Sequence, residues 1–328
     1  MMRPVQTVGM QLGYFLHKKF YHTIAICTAN RRDSACTTLT ELFSKIAFPS
    51  QTEIIVVNNG PEEDTNYIRE HLRQLYTGSE IPWSVYHEPI KGVSHARNLA
   101  VEHAKGDIIS FLDDDASPSS VEWQVAVLNV FNTKPEVALC GGPTWLVPPV
   151  GFGSHPWWRS STTDIYFSCL NDYSPGYCPP GLIAGLNASY RMSAIGSTRF
   201  KTRLGWSNGK ALPLAGEETL FNEHVCTNEW KAWFEDKAIV LHRIEPERYN
   251  TKWLLKRAFM GGKTEAVFET IHGRRIQQVR LEALKRIFKA AAKALINVIL
   301  GRPSSSFSEI CAVSSKMGVL SARDIYVE

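Results

Sequence analysis

An α/β fold with a mostly parallel sheet follows from three features of this sequence. Short apolar runs recur between segments of helical spacing, each run ends in polar residues, and the run at 108–112 leads into Asp113-Asp114-Asp115. Alternation of this kind implies right-handed crossovers between parallel strands. Ligands of such sheets bind beyond the carboxyl ends of the strands, so the polar strand ends should converge on one cleft.

Residues 1–22 show no clear period and read as an N-terminal arm. The apolar run 23–27 is a first buried strand, broken at Thr28-Ala29-Asn30-Arg31-Arg32, and 34–47 then has helical spacing. A second strand, 53–57, ends in the turn signal Asn58-Asn59-Gly60-Pro61 and precedes a polar helix over 63–75. Residues 83–87 form a third strand. After Lys91-Gly92-Val93, Ser94 is the expected N-cap of a helix reaching about residue 104, with Gly106 ending it before the acidic strand. Ser117-Pro118 stops that strand, a helix follows near 120–132, and 137–140 is apolar. From 141 to 185 periodicity is lost among Gly, Pro, Trp, Tyr and Ser, the texture of a functional loop region. A helix over 217–229, a strand over 237–241 closing on His242 and a helix over 251–271 complete the domain.

Over 274–300, Ile276, Leu284, Ile287, Ala291, Leu295 and Val298 fall on one helical face, with Lys285, Arg286, Lys289 and Lys293 opposite. Two readings stand for this basic amphipathic helix: docking on an anionic membrane, or packing of the apolar face on the catalytic domain. Gly301-Arg302-Pro303 and the serines after it break the helix. The expected organisation is therefore an arm (1–22), the two halves (23–140 and 141–271) of one α/β domain, and a helical extension (272–328).

Net charge is +4 among 36 basic and 32 acidic residues, which does not suit general nucleic-acid binding. The seven cysteines are odd in number and include no C-x-x-C pair, which excludes a zinc cluster or disulfide framework and points to a reducing, cytoplasmic setting. No run supplies the ~20 apolar residues of a spanning helix, so the chain is expected to be at most peripheral to a membrane.

Three consecutive carboxylates at a strand end need neutralising, since two of them about 5 Å apart repel by about 3 kcal/mol at an effective dielectric near 20. A hard divalent cation such as Mg2+ or Mn2+ answers this, leaving coordination positions for phosphate oxygens. Strand alternation directs Asp113 and Asp115 to one side and Asp114 to the other. A solvated acidic turn is the alternative.

Cys27-Thr28-Ala29-Asn30-Arg31, Val56-Val57-Asn58-Asn59-Gly60, Lys91 through Asn98 and Phe111 through Asp115 resemble, in order and spacing, the motif series of the family-two, A-type nucleotide-sugar glycosyltransferases. Gly216-Glu217-Glu218 resembles that family's catalytic-base motif and Leu241-His242-Arg243 its histidine segment, so the resemblance spans roughly residues 23–265. It implies a nucleotide-diphosphate sugar donor, a divalent metal on Asp113, Asp115 and His242, and inverting transfer to a lipid-linked or polysaccharide acceptor. Glu218, or its neighbour Glu217, would be the base. Thr28, Asn30, Arg31, Asn58, Asn59, Lys91, Arg97, Asp113 and Asp114 would face the donor, while Trp157, Trp158, Trp206 and Asn187 are candidates for the acceptor. Two positions depart from the family pattern, Glu218 and Asn58, where Asp is usual. They motivate a rival reading, a catalytically silent sugar-nucleotide or membrane-binding protein. A nucleotidyltransferase is a further rival, but no Gly-rich phosphate loop precedes the first helix.

Overall fold

An eight-stranded sheet in the order β3-β2-β1-β4-β9-β6-β10-β8 forms the centre of the chain. The structure, a computed structural model, describes residues 20–202, 216–227 and 229–322. Residues 1–19 of the expected arm, and Trp206, lie outside the described residues. The strands are β1 (His22–Thr28), β2 (Thr52–Asn58), β3 (Trp83–His87), β4 (Ile108–Asp113), β5 (Ala116–Pro118), β6 (Val137–Gly141), β7 (Thr144–Val147), β8 (Gly176–Cys178), β9 (Asn187–Arg191), β10 (Lys231–Phe234) and β11 (Val240–Arg243). Four helices intervene in the first half: α1 (Arg32–Phe43), α2 (Glu62–Leu75), α3 (Val93–His103) and α4 (Glu122–Thr133). Later come α5 (Glu217–Val225), α6 (Thr251–Ile271), α7 (Ile276–Ile299) and α8 (Pro303–Ser321).

Strands β3, β2, β1 and β4 are parallel, as the alternation requires. Their side chains divide between two apolar layers. Ile24, Ile26, Ile54 and Val56 join one, and Ala25, Ile55, Val57 and Phe111 the other, so both faces of the sheet are covered. Register then sets the site: Thr28 pairs with Asn58 and Cys27 with Asp113, which aligns the three polar strand ends along one edge.

Three elements differ from expectation. Strand β9 inserts antiparallel between β4 and β6, just beyond the region expected to be irregular, where no strand was expected. Helix α3 is capped by Gly92, whose φ of 144° is open to glycine, and Ser94 lies buried in the first turn. Pro303 opens helix α8 instead of ending order, its fixed φ suiting a first helical turn.

The chain divides into two compact units. The first contains the large sheet, with the stretch up to Trp145, Asn171–Thr202 and Glu218–His242. The second holds Leu146–Leu170, Glu217 and the chain from Arg243 onward, including α6, α7 and α8. Within it Val279 and Ala283 of α7 pack with Ala266, Val319 and Ala322. The face of α7 picked out by sequence period is not the packed one: Leu284, Leu295 and Val298 remain exposed.

Candidate active site

The acidic triplet does not alternate as an extended strand would, because β4 ends at Asp113 and the chain turns. Asp114 and Asp115 consequently share one cation, contrary to the alternation expected from a continuous strand. Arg31 Nη1 donates to Asp114 Oδ1 at 2.6 Å and Nη2 to Asp115 Oδ2 at 2.9 Å. Thr28 Oγ1 donates to the other Asp114 oxygen at 2.6 Å. Asn30, exposed and left-handed at φ 58°, turns the backbone at the end of β1 that leads into Arg31. Two hydroxyls that sequence reasoning passed over fix the turn: Ser34 and Thr38, one helical turn apart on α1, each donate to the Asp114 carbonyl at 2.8 Å.

Asp113 meets a different arginine. Its side chain keeps 44 % of its surface open, while Arg97 Nη2 approaches its Oδ1 at 3.4 Å. Burial within the surrounding protein raises the Asp113 carboxyl above the ordinary carboxylate range, Arg97 opposes that, and Asp115, His242 and Glu218 lie close enough to act on it as well. Burial likewise pushes Asp114 up to about 7 against the opposing Arg31. His242 enters through the antiparallel pairing of β11 with β5, which sets it opposite Ala116. Its Nε2 stands 3.4 Å from Asp115 Oδ1.

Glu218, half-buried in the first turn of α5, and Arg97 both lie over Gly185. A Cβ at residue 185 would sit 3.1 Å from Arg97 Nη2 and 3.1 Å from Glu218 Cγ. Nothing in the local sequence marks Gly185, because the atoms it makes room for are remote in the chain. Glu217, by contrast, is buried.

Several residues expected at the ligand also hold the scaffold. Asn58 Nδ2 donates to the Pro61 carbonyl at 2.6 Å and Thr65 Oγ1 at 2.9 Å, and its Oδ1 accepts from Gly60 N–H. Asn59 ties the β2 end to the loop before α3, donating to the Glu88 and Ile90 carbonyls and accepting from Gly92 N–H at 2.7 Å. Asn187 accepts from Trp123 Nε1 and donates to the Gly142 and Ala238 carbonyls. Trp158 is buried in the core of the second unit, whereas Trp157 and Lys91 are exposed.

Among the described residues, no group of three or more His, Cys, Asp or Glu side chains forms a ready-made metal cage. The donor set nevertheless fits a hard cation that shares its shell with phosphate: carboxylate oxygens of Asp113 and Asp115 with the His242 imidazole beside them.

Residues 23–181 match the model of the glycosyl transferase family 2. The succinoglycan biosynthesis protein ExoM of Rhizobium meliloti is 26% identical over 283 residues, 83% of this chain and 84% of that protein. The glucosyl-dolichyl phosphate glucuronosyltransferase of Haloferax volcanii is 21% identical over 262 residues, 76% of this chain and 78% of its own length. Among solved structures, a mannosyltransferase from Pyrobaculum calidifontis in complex with GDP-Man and Mn2+ aligns over 82% of this chain and 72% of its own, with a TM-score of 0.54 and 15% identity. Fold and sequence together define a glycosyltransferase of the A-type fold. Within that class, residues 23–181 are the part of the chain that matches family 2.

Proposed function

We propose that this enzyme transfers a sugar, with inversion, from a nucleotide-diphosphate sugar to a hydroxyl of a lipid-linked or polysaccharide acceptor. The grouping of Glu218 and Arg97 over Gly185, with Asp113 beside Arg97 at the carboxyl edge of the sheet, carries the reading. Glu218 accepts the acceptor's proton as its oxygen attacks the anomeric carbon. The bond from that carbon to the diphosphate oxygen breaks, and the electron pair leaves with the diphosphate. Arg97 and the N–H groups at the start of α3 present positive charge to the phosphates. Asp113, Asp115 and His242 hold the divalent cation, Mg2+ or Mn2+, which when bound supplies charge neutralisation to the diphosphate. Arg31 orients Asp115 for that role.

In this reading residues 23–140 bind the donor, 141–271 the acceptor, and 272–328 form the extension. Support for the acceptor class comes from the two relatives, one of succinoglycan biosynthesis and one named for a glucosyl-dolichyl phosphate. The free cysteines suit the cytoplasm, where thiols stay reduced. The test is calorimetric binding of a panel of nucleotide-diphosphate sugars with and without Mn2+, together with transfer by Glu218→Gln. Metal-dependent binding of one donor, retained in Glu218→Gln while transfer is lost, is the expected result. Undiminished transfer by that variant would remove Glu218 as the base.

A further inference from the structure

Helix α7 has two apolar faces, and only one is covered. Val279, Ala283, Ala290 and Ala294 are buried, and Ser306 Oγ of α8 donates to the Ala294 carbonyl at 3.0 Å on that side. On the far side Leu281, Leu284, Phe288, Ala292, Leu295 and Ile299 recur every three or four residues and draw one outward stripe. Phe288 is 74% exposed and Ile299 75%. A stripe of this size is too apolar to be left in water without a partner.

Charge indicates what the partner is. Lys285, Lys289 and Lys293 follow one border of the stripe, and the only acid in α7 is Glu282, which Arg274 holds at 2.5 Å. Lys293 reaches Glu309 at 3.7 Å, whereas Lys285 and Lys289 meet no carboxylate within ion-pair distance among the described residues. A second copy of the chain pairing along this stripe would set lysines against lysines with no acids between them. An anionic lipid surface supplies the missing charge and the apolar medium together. Among the described residues, no helix is long and apolar enough to cross a membrane, so α7 would lie on the surface.

We infer that the outward face of α7 docks on an anionic lipid surface, with its axis in the membrane plane, the apolar stripe at the headgroup–acyl boundary and the lysines on lipid phosphates. This deepens the proposed function by bringing the enzyme to the surface where a lipid-linked acceptor resides. Vesicle binding is read without sugar transfer, so failure of either reading is distinguishable from failure of the other.

The test is flotation of the full chain with phosphatidylcholine vesicles, with and without phosphatidylglycerol. Binding to the phosphatidylglycerol vesicles, weakened by salt, is expected. Two double variants, Phe288→Asp with Ile299→Asp and Lys285→Gln with Lys289→Gln, should each lower it about tenfold or more while leaving nucleotide-sugar binding unchanged. Absence of wild-type binding overturns the inference, as does wild-type-like binding by both variants. A dimer in sedimentation velocity that the Phe288→Asp, Ile299→Asp variant dissolves would overturn it in favour of a second copy. The lysine variant changes only exposed side chains, so it remains informative if the aspartates impair folding.

Discussion

Arg31 Nη1 lies 2.6 Å from Asp114 Oδ1, and this contact opposes the burial that pushes the Asp114 carboxyl up to about 7. The same guanidinium restrains Asp115 through its other arm. Arg31→Met would leave two buried carboxylates without their shared cation. The expected loss is about 2–3 kcal/mol in chemical denaturation, toward the low end for a buried pair because Arg31 is partly exposed. Adding Asp114→Asn should recover part of that loss. If the two substitutions are instead additive, the pair contributes nothing as a pair.

Gly185 keeps space for the base. Its replacement by Ala sets a methyl group 3.1 Å from both Arg97 Nη2 and Glu218 Cγ, so those side chains must give by a few tenths of an ångström. Displacement on that scale should lower kcat about tenfold, since a shift of roughly 1 Å costs about a hundredfold. The thermal midpoint should fall only slightly, because the atoms met are all side-chain atoms, the Arg97 tip and Glu218 Cγ and Cβ, and none is backbone. A variant with unchanged kcat would show that Glu218 adjusts freely and is not positioned there.

The parallel half of the sheet was legible because strands buried on both faces read as unbroken apolar runs. Strand β9 was not, since its Ser189 is polar yet fully buried. What satisfies it is the Ser110 hydroxyl 2.6 Å away, a partner far back in the chain. Asn58 and Asn59 show a similar limit. Turn chemistry and ligand chemistry use the same amide, and only three-dimensional partners reveal that both side chains tie the loops. In α7 the period exposed an apolar stripe but could not say which of two apolar faces α8 would cover. The acidic triplet was legible as a carboxylate cluster at a strand end, whereas the arginine shared by Asp114 and Asp115 was not, because β4 stops one residue into the triplet.

His22 predicts a pH dependence of stability. Gln124 Nε2 donates to its Nδ1 at 3.0 Å, so its Nε2 carries the proton donated to Ser110 Oγ at 2.7 Å, and the ring is held neutral. Burial lowers its pKa from 6.5 to about 3. Between those values the unfolded chain binds a proton that the folded chain refuses, so stability is complete above the unfolded value and falls as pH drops. The slope approaches about 1.4 kcal/mol per pH unit, or about 3 kcal/mol between pH 7.5 and pH 4.5. Urea denaturation across that range should show the loss in the wild type. His22→Gln, less stable at pH 7.5, should show a correspondingly flatter profile. An equal slope in both would assign the acid loss to other groups.

Gly262 of α6 and Gly318 of α8 let two helix backbones touch. A Cβ on Gly262 would run into the Ser315 carbonyl, and one on Gly318 into the Phe259 carbonyl. Neither obstacle can rotate away, because both are helix backbone. Gly→Ala inside a helix ordinarily gains roughly 0.5–1 kcal/mol from propensity alone, so the sign of the effect discriminates. At Gly262 the helices must separate, an overpacking cost of about 1–3 kcal/mol that exceeds the propensity gain. Gly262→Ala should therefore lower the thermal midpoint, whereas Gly261→Ala, whose Cβ would meet nothing within 4 Å, should raise it slightly or leave it unchanged. Equal midpoints for the two variants would mean that α6 and α8 do not pack this closely in solution.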